Sequence, residues 1–148
     1  MDINVRLASA QDRTSLDEFY KREGMDFQDL SARPSSSSIG AARETMYIIA
    51  VSGNMVVAAL KLDIVKDPGL GNVGYILHFE IEDELENTNL GHRMIEKTVE
   101  IAKTKSLRAL NASINEERSD VISIFLDTEF HEVRKDVCLR RDFRERIF

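Results

Sequence analysis

The sequence predicts a single domain of the mixed α/β class, and three observations support this fold class. The chain has 148 residues, which is a usual length for one domain. Its composition, 43% hydrophobic and 31% charged, is typical of a packed globular fold. The hydrophobic pattern switches repeatedly between the two-residue period of strands and the longer period of helices. The resulting order, β-α-(α)-β-β-β-α-β-α-β, predicts a mixed sheet packed with helices.

The chain begins with a strand and a helix. Residues 3–8 alternate apolar and polar side chains, which predicts a short strand, and the apolar positions of 10–22 predict a helix. The hydrophobic periodicity weakens over 25–43, where the optional second helix of the predicted order, written (α), would lie. Within that stretch, 32–40 holds four consecutive serines and has the composition of a surface loop.

Three strands follow, joined by turns. The β-rich runs 46–51 and 55–63 are separated by Ser52-Gly53-Asn54, which is a hairpin signature. Residues 68–72 contain one proline and two glycines and predict a second turn. The run 73–81 then predicts the third of these strands.

A long amphipathic helix is predicted after the strand 73–81, and it extends to about residue 104. One face of this helix carries Gly91, Ile95, Val99 and Ala102. Beyond it, residues 107–114 predict a strand and 117–127 a short helix. Strand-like alternation returns over 130–139.

Residues 73–104 and the strand after them form a predicted βαβ unit. The first amide groups of an α-helix have no partner inside the helix, and the helix dipole favours negative charge at that end. The turn that opens the long helix is therefore a natural anion site. We expect the chemistry of the protein to be located there.

Cysteine and histidine usage excludes several kinds of site. Cys138 is the only cysteine, so neither an intrachain disulfide nor a cysteine-based metal site can form. Because it lies in the alternating stretch 137–140, we expect a small core residue and not a nucleophile. The three histidines, His78, His92 and His131, are too far apart in sequence for an HExxH-type zinc site. We predict no metal.

Charge and targeting signals limit the partners and the location. The formal net charge is −6, and an acidic chain without a basic block repels phosphate backbones, so we expect no nucleic-acid partner. The first residues lack the basic and then apolar order of a secretory signal. Every apolar run is far shorter than the ~20 residues that cross a bilayer. We therefore expect a cytoplasmic protein without a membrane partner.

The most informative segment is 81–94, where a strand ends and the long helix begins. It resembles the central motif of the GNAT family of N-acetyltransferases, in which a strand ending in Val-x-Pro precedes Gln/Arg-x-x-Gly-x-Gly/Ala. Without a gap, Ile81 matches the valine and Glu86 the Gln/Arg position, while Asn89 and Gly91 match the glycines and Asp83 replaces the proline. Asn89 tolerates a left-handed backbone, and Gly91 leaves room for a phosphate to approach.

The resemblance extends over essentially the whole chain. Residues 5–12 are similar to the opening strand of the family, and 48–60 are similar to its second and third strands. Residues 124–130 correspond to its helix of the form Asn-x-x-Ala-x-x-Leu-Tyr-x-x-x-Gly-Phe. This implies one GNAT-like acyl-CoA-binding domain over 1–148, with a mixed, mostly antiparallel central sheet and helices on both faces.

The resemblance implies acetyl-CoA as the cosubstrate. In the family, amides of the turn and of the first helical residues bind the pyrophosphate, and the splayed end of the preceding strand pairs with the pantetheine arm. A backbone amide near 79–81 would polarise the thioester carbonyl. The residues implied in cofactor binding are Phe79, Ile81, Glu86, Asn87, Thr88, Asn89, Leu90, Gly91, His92 and Arg93.

The general acid of the family has no counterpart in the matching position. Many members protonate the leaving thiolate of coenzyme A with a tyrosine, but the matching residue is Phe125, which has no proton to give. Arg118 lies where an asparagine often contacts the cofactor.

Glu80 and Tyr75 are both candidates for the catalytic base. Simple alternation along 73–81 puts Tyr75 on one face of the strand, with Phe79 and Ile81, and Glu80 on the other face. A bulge in this strand would change that order.

Two functions are therefore open. The first is an N-acyltransferase that moves an acetyl group from acetyl-CoA to an amine of a small molecule or a protein, and the acidic surface suits a cationic amine. The second is a catalytically degenerate GNAT-like domain that serves as a CoA-binding or regulatory module, which Glu86, Asn89 and Phe125 favour. The expected partners are acetyl-CoA and an amine acceptor, and a homodimer is allowed.

Overall fold

The computed structural model describes residues 2–24 and 42–143, and every structural statement below concerns these residues. Residues 25–41, for which a serine-rich loop was predicted, lie outside the described residues. Two short 3-10 turns, Ala10–Asp12 and Asp83–Leu85, accompany five strands and three α-helices. The order is β1 (Ile3–Leu7), α1 (Arg13–Arg22), β2 (Glu44–Ser52), β3 (Met55–Asp67), β4 (Gly71–Ile81), α2 (Leu90–Thr104), β5 (Leu110–Ala112) and α3 (Ser119–Asp127).

The strands form one mixed sheet in the order β1-β2-β3-β4-β5. Strands β1 to β4 pair antiparallel with their neighbours, and β5 pairs parallel with β4. Because α2 connects β4 to β5, these three elements are the βαβ unit expected from the sequence. The α/β class with a mixed, mostly antiparallel sheet is confirmed.

Apolar side chains fill a cluster on each face of the sheet. On one face, α1 packs against β2 and β3 through Leu16, Phe19 and Tyr20. On the other face, α2 and α3 cover a larger cluster that includes Leu62, Ile76, Met94, Ile95, Val121 and Phe125. Full burial of one such side chain contributes roughly 1.5–3 kcal/mol. None of the three described helices is long and apolar enough to cross a membrane.

Asp12 holds the start of α1 against β1. Its carboxylate accepts hydrogen bonds from both terminal nitrogens of Arg6, at 2.8 and 2.9 Å, and from the Ser9 amide at 2.7 Å. The Arg6 bonds first, and then the Ser9 amide, hold the pKa of Asp12 well below its ordinary value. A lowered pKa stabilises the folded state while the carboxylate is ionised, so this stabilisation is lost as the pH falls below about 4.

A bulge interrupts the pairing of β3 with β4. Ala59 pairs with Glu80, but Lys61 pairs with Leu77, so β4 has one residue more than β3 between these pairs. His78 lies within this stretch and has a φ of 52°, a left-handed conformation that few residues other than glycine adopt, with asparagine, aspartate and histidine the most frequent among them.

The bulge corrects the simple alternation expected along β4. Tyr75 pairs with Asp63 on the same face as Glu80, because Ala59 and Asp63 are an even number of residues apart on β3. Phe79 and Ile81 instead pack into the cluster beneath α2 and α3. The two candidate bases therefore share the α1 face of the sheet.

The C-terminal part departs from the expected pattern. The strand expected over 107–114 is limited to Leu110–Ala112, and the expected strand over 130–139 has no regular secondary structure. Residues 131–143 are all exposed, and Cys138, expected in the core, is exposed with them. A segment with alternating apolar and polar residues becomes a strand only where a neighbouring strand pairs with its backbone and one of its faces is buried.

Candidate functional site

A cleft opens where β4 and β5 separate. β5 pairs with β4 only from Gly74 to Ile76, whereas β4 continues to Ile81. Over 77–81, one edge of β4 therefore has no neighbouring strand among the described residues. A cavity of about 230 Å³ lies beside this end of the strand.

Three parts of the chain line the cavity. They are the end of β4, with Phe79 and Ile81; the region that opens α2, with Glu86, Asn87, Thr88 and His92; and the start of α3, with Arg118, Asp120, Val121, Ser123 and Ile124. Six of the ten residues predicted to bind the cofactor thus lie together around one cavity. The segments that carry them are brought together by the βαβ connection and by the packing of α3 on α2.

Thr88 orders the turn that opens α2. Its hydroxyl donates a hydrogen bond to the Leu85 carbonyl at 2.6 Å and accepts one from the Leu90 amide at 3.2 Å. The amides of Gly91 and His92 donate no backbone hydrogen bond within the described part of the chain. Unpaired amides at a helix N-terminus are the groups that bind anions.

Asn89, Leu90 and Gly91 form the junction between this turn and α2. Asn89 has a φ of −84°, so it does not adopt the left-handed backbone that asparagine tolerates. Leu90 is buried in the core. A Cβ on Gly91 would lie 2.5 Å from Ile124 Cδ1 and 3.2 Å from Ile81 Cδ1, so these side chains occupy the space that was expected to admit a phosphate. Glycine at this position permits close packing of α2 against α3 and β4.

Two basic side chains at the start of α2 are engaged within the protein. Arg93 donates a hydrogen bond to the Ile3 carbonyl at 2.9 Å, so its guanidinium is held at β1 and does not line the cavity. His92 Nε2 lies 3.0 Å from Asp127 Oδ2 at the end of α3. This contact ties the two helices together at the cavity.

Charges of both signs line the cavity. Among the described lining residues, Arg118 is the one arginine or lysine. Glu86 and Asp120 bring carboxylates to the same cavity. A phosphate at this position would be attracted by Arg118 and by the helix amides, and repelled by the two carboxylates.

Glu80 lies half-buried at the open end of β4. Its Oε2 is 3.9 Å from Arg118 Nη1. Burial raises the pKa of Glu80 above its ordinary value, Arg118 opposes the rise, and the carboxylates of Glu23, Glu86 and Asp83 add to it. A carboxylate with a raised pKa is a stronger proton acceptor, which is the property of a general base.

Carboxylates surround this end of β4. Burial raises the pKa of Glu23 as well, and the neighbouring Asp83, Glu82 and Glu86 add to that rise. Arg22 lies 3.8 Å from Glu82 and compensates part of this charge. Such a cluster attracts cations.

Tyr75 lies on the same face as Glu80 but farther from the cleft. It stands in the stretch where β4 is paired on both sides, with Asp63 on β3 and Asn111 on β5. Glu80 follows the point at which the strands separate. Of the two candidate bases, the geometry favours Glu80.

Phe125 belongs to the core beside the cavity. It is 4% exposed, and its ring packs edge-on against Phe79 at 6.1 Å and Phe130 at 5.0 Å between ring centroids. Phe125 does not line the cavity, but it supports Phe79, which does.

Phe125→Tyr is expected to lower the free energy of unfolding by about 1–3 kcal/mol, because a hydroxyl would be buried without a hydrogen-bond partner. Urea unfolding at neutral pH measures the change. Phe143→Tyr is the matched control, since Phe143 is 74% exposed and the same substitution there should be nearly neutral. Equal stability of the Phe125 variant and the parent would mean that the ring edge reaches the cavity.

Arg118 immediately precedes α3, and the lining residues within α3 itself were not predicted. Asp120, Val121 and Ile124 are spaced as residues on one side of a helix, but periodicity alone does not tell which side faces a ligand. Among the described residues, no group of three or more His, Cys, Asp or Glu side chains could hold a metal ion.

Comparison with known proteins gives a structural match without a sequence match. No protein-family model and no curated protein matches the sequence. AAC(6')-Iy, solved with the bisubstrate analog CoA-S-monomethyl-acetylneamine, matches with a TM-score of 0.74 at 13% identity over 96% of this chain and 99% of that chain. A predicted acetyltransferase from Clostridium acetobutylicum, solved with acetyl-CoA, matches with a TM-score of 0.67 at 16% identity over 94% and 96%.

A third match is the ribosomal-protein-alanine N-acetyltransferase from Brucella melitensis biovar Abortus 2308. Its TM-score is 0.70 at 11% identity over 95% of this chain and 100% of that chain. At such identities the likeness establishes the fold. The chain has the GNAT fold, which it shares with acetyl-CoA-dependent acetyltransferases.

Proposed function

We propose that this chain is an N-acyltransferase that transfers an acetyl group from acetyl-CoA to an amine. The observation that carries the proposal is the open edge of β4 over 77–81, which lies beside the cavity and near the first turn of α2. An extended acyl-thioester arm can add to such an edge through backbone hydrogen bonds. The phosphates at the other end of the cofactor require anion-binding groups, and the start of α2 supplies them.

The cofactor is expected to bind along the predicted residues that surround the cavity. The His92 amide at the start of α2 binds the pyrophosphate, and Arg118 adds a positive charge. Phe79 and Ile81 offer apolar contact to the pantetheine arm. In this arrangement Leu90 and Arg93 contribute by holding α2 in position, and they do not touch the ligand through their side chains.

The chemistry then follows from the groups at the end of β4. A neutral amine attacks the thioester carbonyl carbon, the C–N bond forms, and the C–S bond breaks as the tetrahedral intermediate collapses. A backbone amide over 79–81 stabilises the oxyanion, and Glu80 accepts the proton that the amine loses. The leaving thiolate takes its proton from water, because Phe125 has none to give.

The acceptor that best fits this site is a cationic amine. The carboxylates around the end of β4 attract a protonated amine, and Glu80 can remove its proton at the point of attack. Low salt should therefore lower the KM for a cationic acceptor and leave that for a neutral amine unchanged, because exposed charges are screened by salt.

Ligand binding and turnover test the proposal together. Acetyl-CoA at 100 times its dissociation constant should add about 2.7 kcal/mol to the free energy of unfolding, which a thermal melt detects. Release of the free thiol should accompany incubation with diamines or polyamines. Inorganic pyrophosphate at the same concentration is the control for unspecific anion binding. Absence of any stabilisation by acetyl-CoA would contradict the proposal.

Two observations favour a second candidate, a GNAT-like module that binds CoA without catalysis. Glu86 and Asp120 bring negative charge to the cavity, and Phe125 is buried where many family members have a catalytic tyrosine. Stabilisation by acetyl-CoA without thiol release across a panel of amines would favour this candidate over the enzyme.

Glu86→Arg is expected to tighten CoA binding by about 1 kcal/mol, or roughly fivefold, because it replaces a repulsion by an attraction at a partly screened position. Isothermal titration at low salt measures the change. Glu84→Arg is the matched control, since it makes the same charge change at an exposed residue outside the cavity lining. The same affinity for both variants would mean that residue 86 does not face the phosphates.

A further inference from the structure

The buried hydroxyl of Tyr20 on α1 reaches the bulge of β4. It donates a hydrogen bond to the His78 carbonyl at 2.8 Å, across 58 residues of sequence. Tyr20 is completely buried, and the Phe19 and Tyr47 rings lie against its own ring at 5.4 and 6.4 Å between centroids. Packing therefore holds the hydroxyl at one position, opposite one carbonyl. A phenylalanine would fill the same apolar space, so packing alone does not require the hydroxyl.

The surroundings of Tyr20 keep this hydroxyl in its protonated, donating form. Burial first, and then the neighbouring Tyr47 and Glu80, raise the pKa of Tyr20 well above its ordinary value. The contribution of Glu80 also shows that the Tyr20 side chain lies near the candidate base. The His78 carbonyl therefore receives this hydrogen bond throughout the neutral pH range.

The backbone that Tyr20 holds has a conformation that a regular strand does not adopt. His78 has a φ of 52°, and it lies where two residues of β4, His78 and Phe79, stand opposite the single Leu60 of β3. Such a conformation costs free energy and persists only where surrounding groups stabilise it. A buried carbonyl displaced from the regular ladder also needs a donor. The Tyr20 hydroxyl meets both needs.

The pairing of β4 with β3 shows which amides of β4 face the cleft. The Glu82 amide, just after β4, donates to the Val57 carbonyl of β3 at 2.9 Å. Bonded pairs alternate along an antiparallel ladder, so the Glu80 amide, two residues earlier, is also directed at β3. The amides of Phe79 and Ile81 then point away from β3. They face the edge of β4 that has no neighbouring strand among the described residues.

Tyr20 controls the direction of the Phe79 amide in particular. The His78 carbonyl and the Phe79 amide belong to one planar trans peptide group, in which C=O and N–H point in opposite directions. Because the Tyr20 hydroxyl holds the carbonyl on the α1 face, the amide is turned to the opposite side, where the Phe79 ring lines the cavity. A rotation of this peptide group would turn the amide away from the cleft.

We propose that Tyr20 is a positioning residue for acetyl transfer, which anchors the peptide group between His78 and Phe79 and so holds the Phe79 amide as the donor to the thioester oxygen. This role rests on the proposed function, and it narrows the oxyanion donor from the amides of 79–81 to one. The Phe79 N–H stabilises the negative charge that develops on the thioester oxygen as the amine attacks. Tyr20 itself does not touch the reacting atoms.

Tyr20→Phe is expected to lower kcat by about 10²-fold and to leave the dissociation constant of acetyl-CoA unchanged. Loss of one oxyanion donor costs roughly 10²–10³-fold in kcat, because the donor acts on charge that exists only in the transition state. Release of the CoA thiol with a polyamine acceptor measures kcat, and isothermal titration measures binding.

Tyr47→Phe is the matched control for the loss of a hydroxyl. It changes the adjoining ring on β2, a strand that β3 separates from β4, and it should keep the rate. An equal loss of kcat in this control would assign the effect to the packing of α1 on the sheet and overturn the proposal.

Two substitutions at His78 test the same peptide group from the β4 side. Valine opposes a positive φ and glycine permits it. His78→Val should therefore lower kcat about as much as Tyr20→Phe, whereas His78→Gly should lose much less. Both variants keep the Tyr20 hydroxyl and the packing of α1, so they test the proposal even if Tyr20→Phe folds poorly. Equal kcat values for the valine and glycine variants would contradict it.

Infrared spectroscopy of bound acetyl-CoA, isotope-labelled at the thioester carbonyl, tests the donor without turnover. A hydrogen bond to that oxygen weakens the C=O bond, so the carbonyl band should lie at a lower frequency in the parent than in Tyr20→Phe. A band that does not move, or a variant as fast as the parent, would overturn the role of Tyr20. Absence of thiol release by a parent that binds acetyl-CoA would contradict the proposed enzyme instead, and the band would still decide the role of Tyr20. Absence of binding would overturn both.

Discussion

Glu80→Gln is expected to lower kcat for acetyl transfer by about 10²–10⁴-fold, the usual contribution of a positioned general base. Glutamine has nearly the same shape as glutamate but cannot accept the proton of the attacking amine. Glu80 is half-buried where β4 leaves β5, and Arg118 lies within 3.9 Å. Steady-state release of the CoA thiol, with saturating acetyl-CoA and a polyamine acceptor, measures the loss.

The pH profile provides a separate signature of Glu80. Burial raises the pKa of this carboxyl in the folded protein, and only the ionised form accepts a proton. The rate should therefore rise with pH through the raised pKa and then level off, at a pH above the value of about 4.3 for a glutamate in water. The glutamine variant should lose this acid limb.

Two controls make the Glu80 result interpretable. The variant should bind acetyl-CoA as the parent does, as judged by the same thermal stabilisation, so that a lost rate is not lost folding or lost cofactor. Tyr75→Phe removes the other candidate base from the paired part of β4 and should keep most of the rate. The opposite result, in which Tyr75→Phe is inactive and Glu80→Gln is active, would assign the base to Tyr75.

Gly91→Glu is expected to lower the free energy of unfolding by about 3 kcal/mol or more, through overpacking and a buried charge. A Cβ on Gly91 alone would lie 2.5 Å from Ile124 Cδ1. The remaining atoms of glutamate would have to displace α3 or carry a carboxylate into an apolar core. Urea unfolding at neutral pH measures the loss, and acetyl-CoA binding should fall with the folded fraction.

Gly69→Glu is the matched control for this substitution. Gly69 is exposed in the turn before β4, and the nearest atom to a Cβ there is Asp67 Oδ1 at 3.5 Å. The same change at this position should be within about 0.5 kcal/mol of neutral, as for most surface substitutions. If Gly91→Glu were equally neutral, the space beside Gly91 would be open, as the motif resemblance implied.

Local pattern alone determined most of the elements of this fold. β-rich runs separated by turn signals indicated the strands from 46 to 81, and the helical period of 89–104 indicated the helix that joins β4 to the parallel β5. The turn that opens this helix was expected to carry anion-binding amides, and this property depends only on the helix N-terminus. Such features are set by sterics and hydrogen bonding between residues close in sequence, so a single chain reveals them.

Packing between distant parts of the chain decided the rest. The bulge at His78, which no local pattern marks, moved Glu80 and Tyr75 to the same face, because the pairing of β4 with β3 sets its register. Gly91 was expected to leave space for a ligand, but Ile124 of α3 packs against it and fills that space. The segment 131–143 has the pattern of a strand but no neighbour within the described chain. A strand needs a neighbouring strand, and a cavity needs walls from several segments of the chain. Both depend on how residues distant in sequence pack together, which the tertiary structure decides.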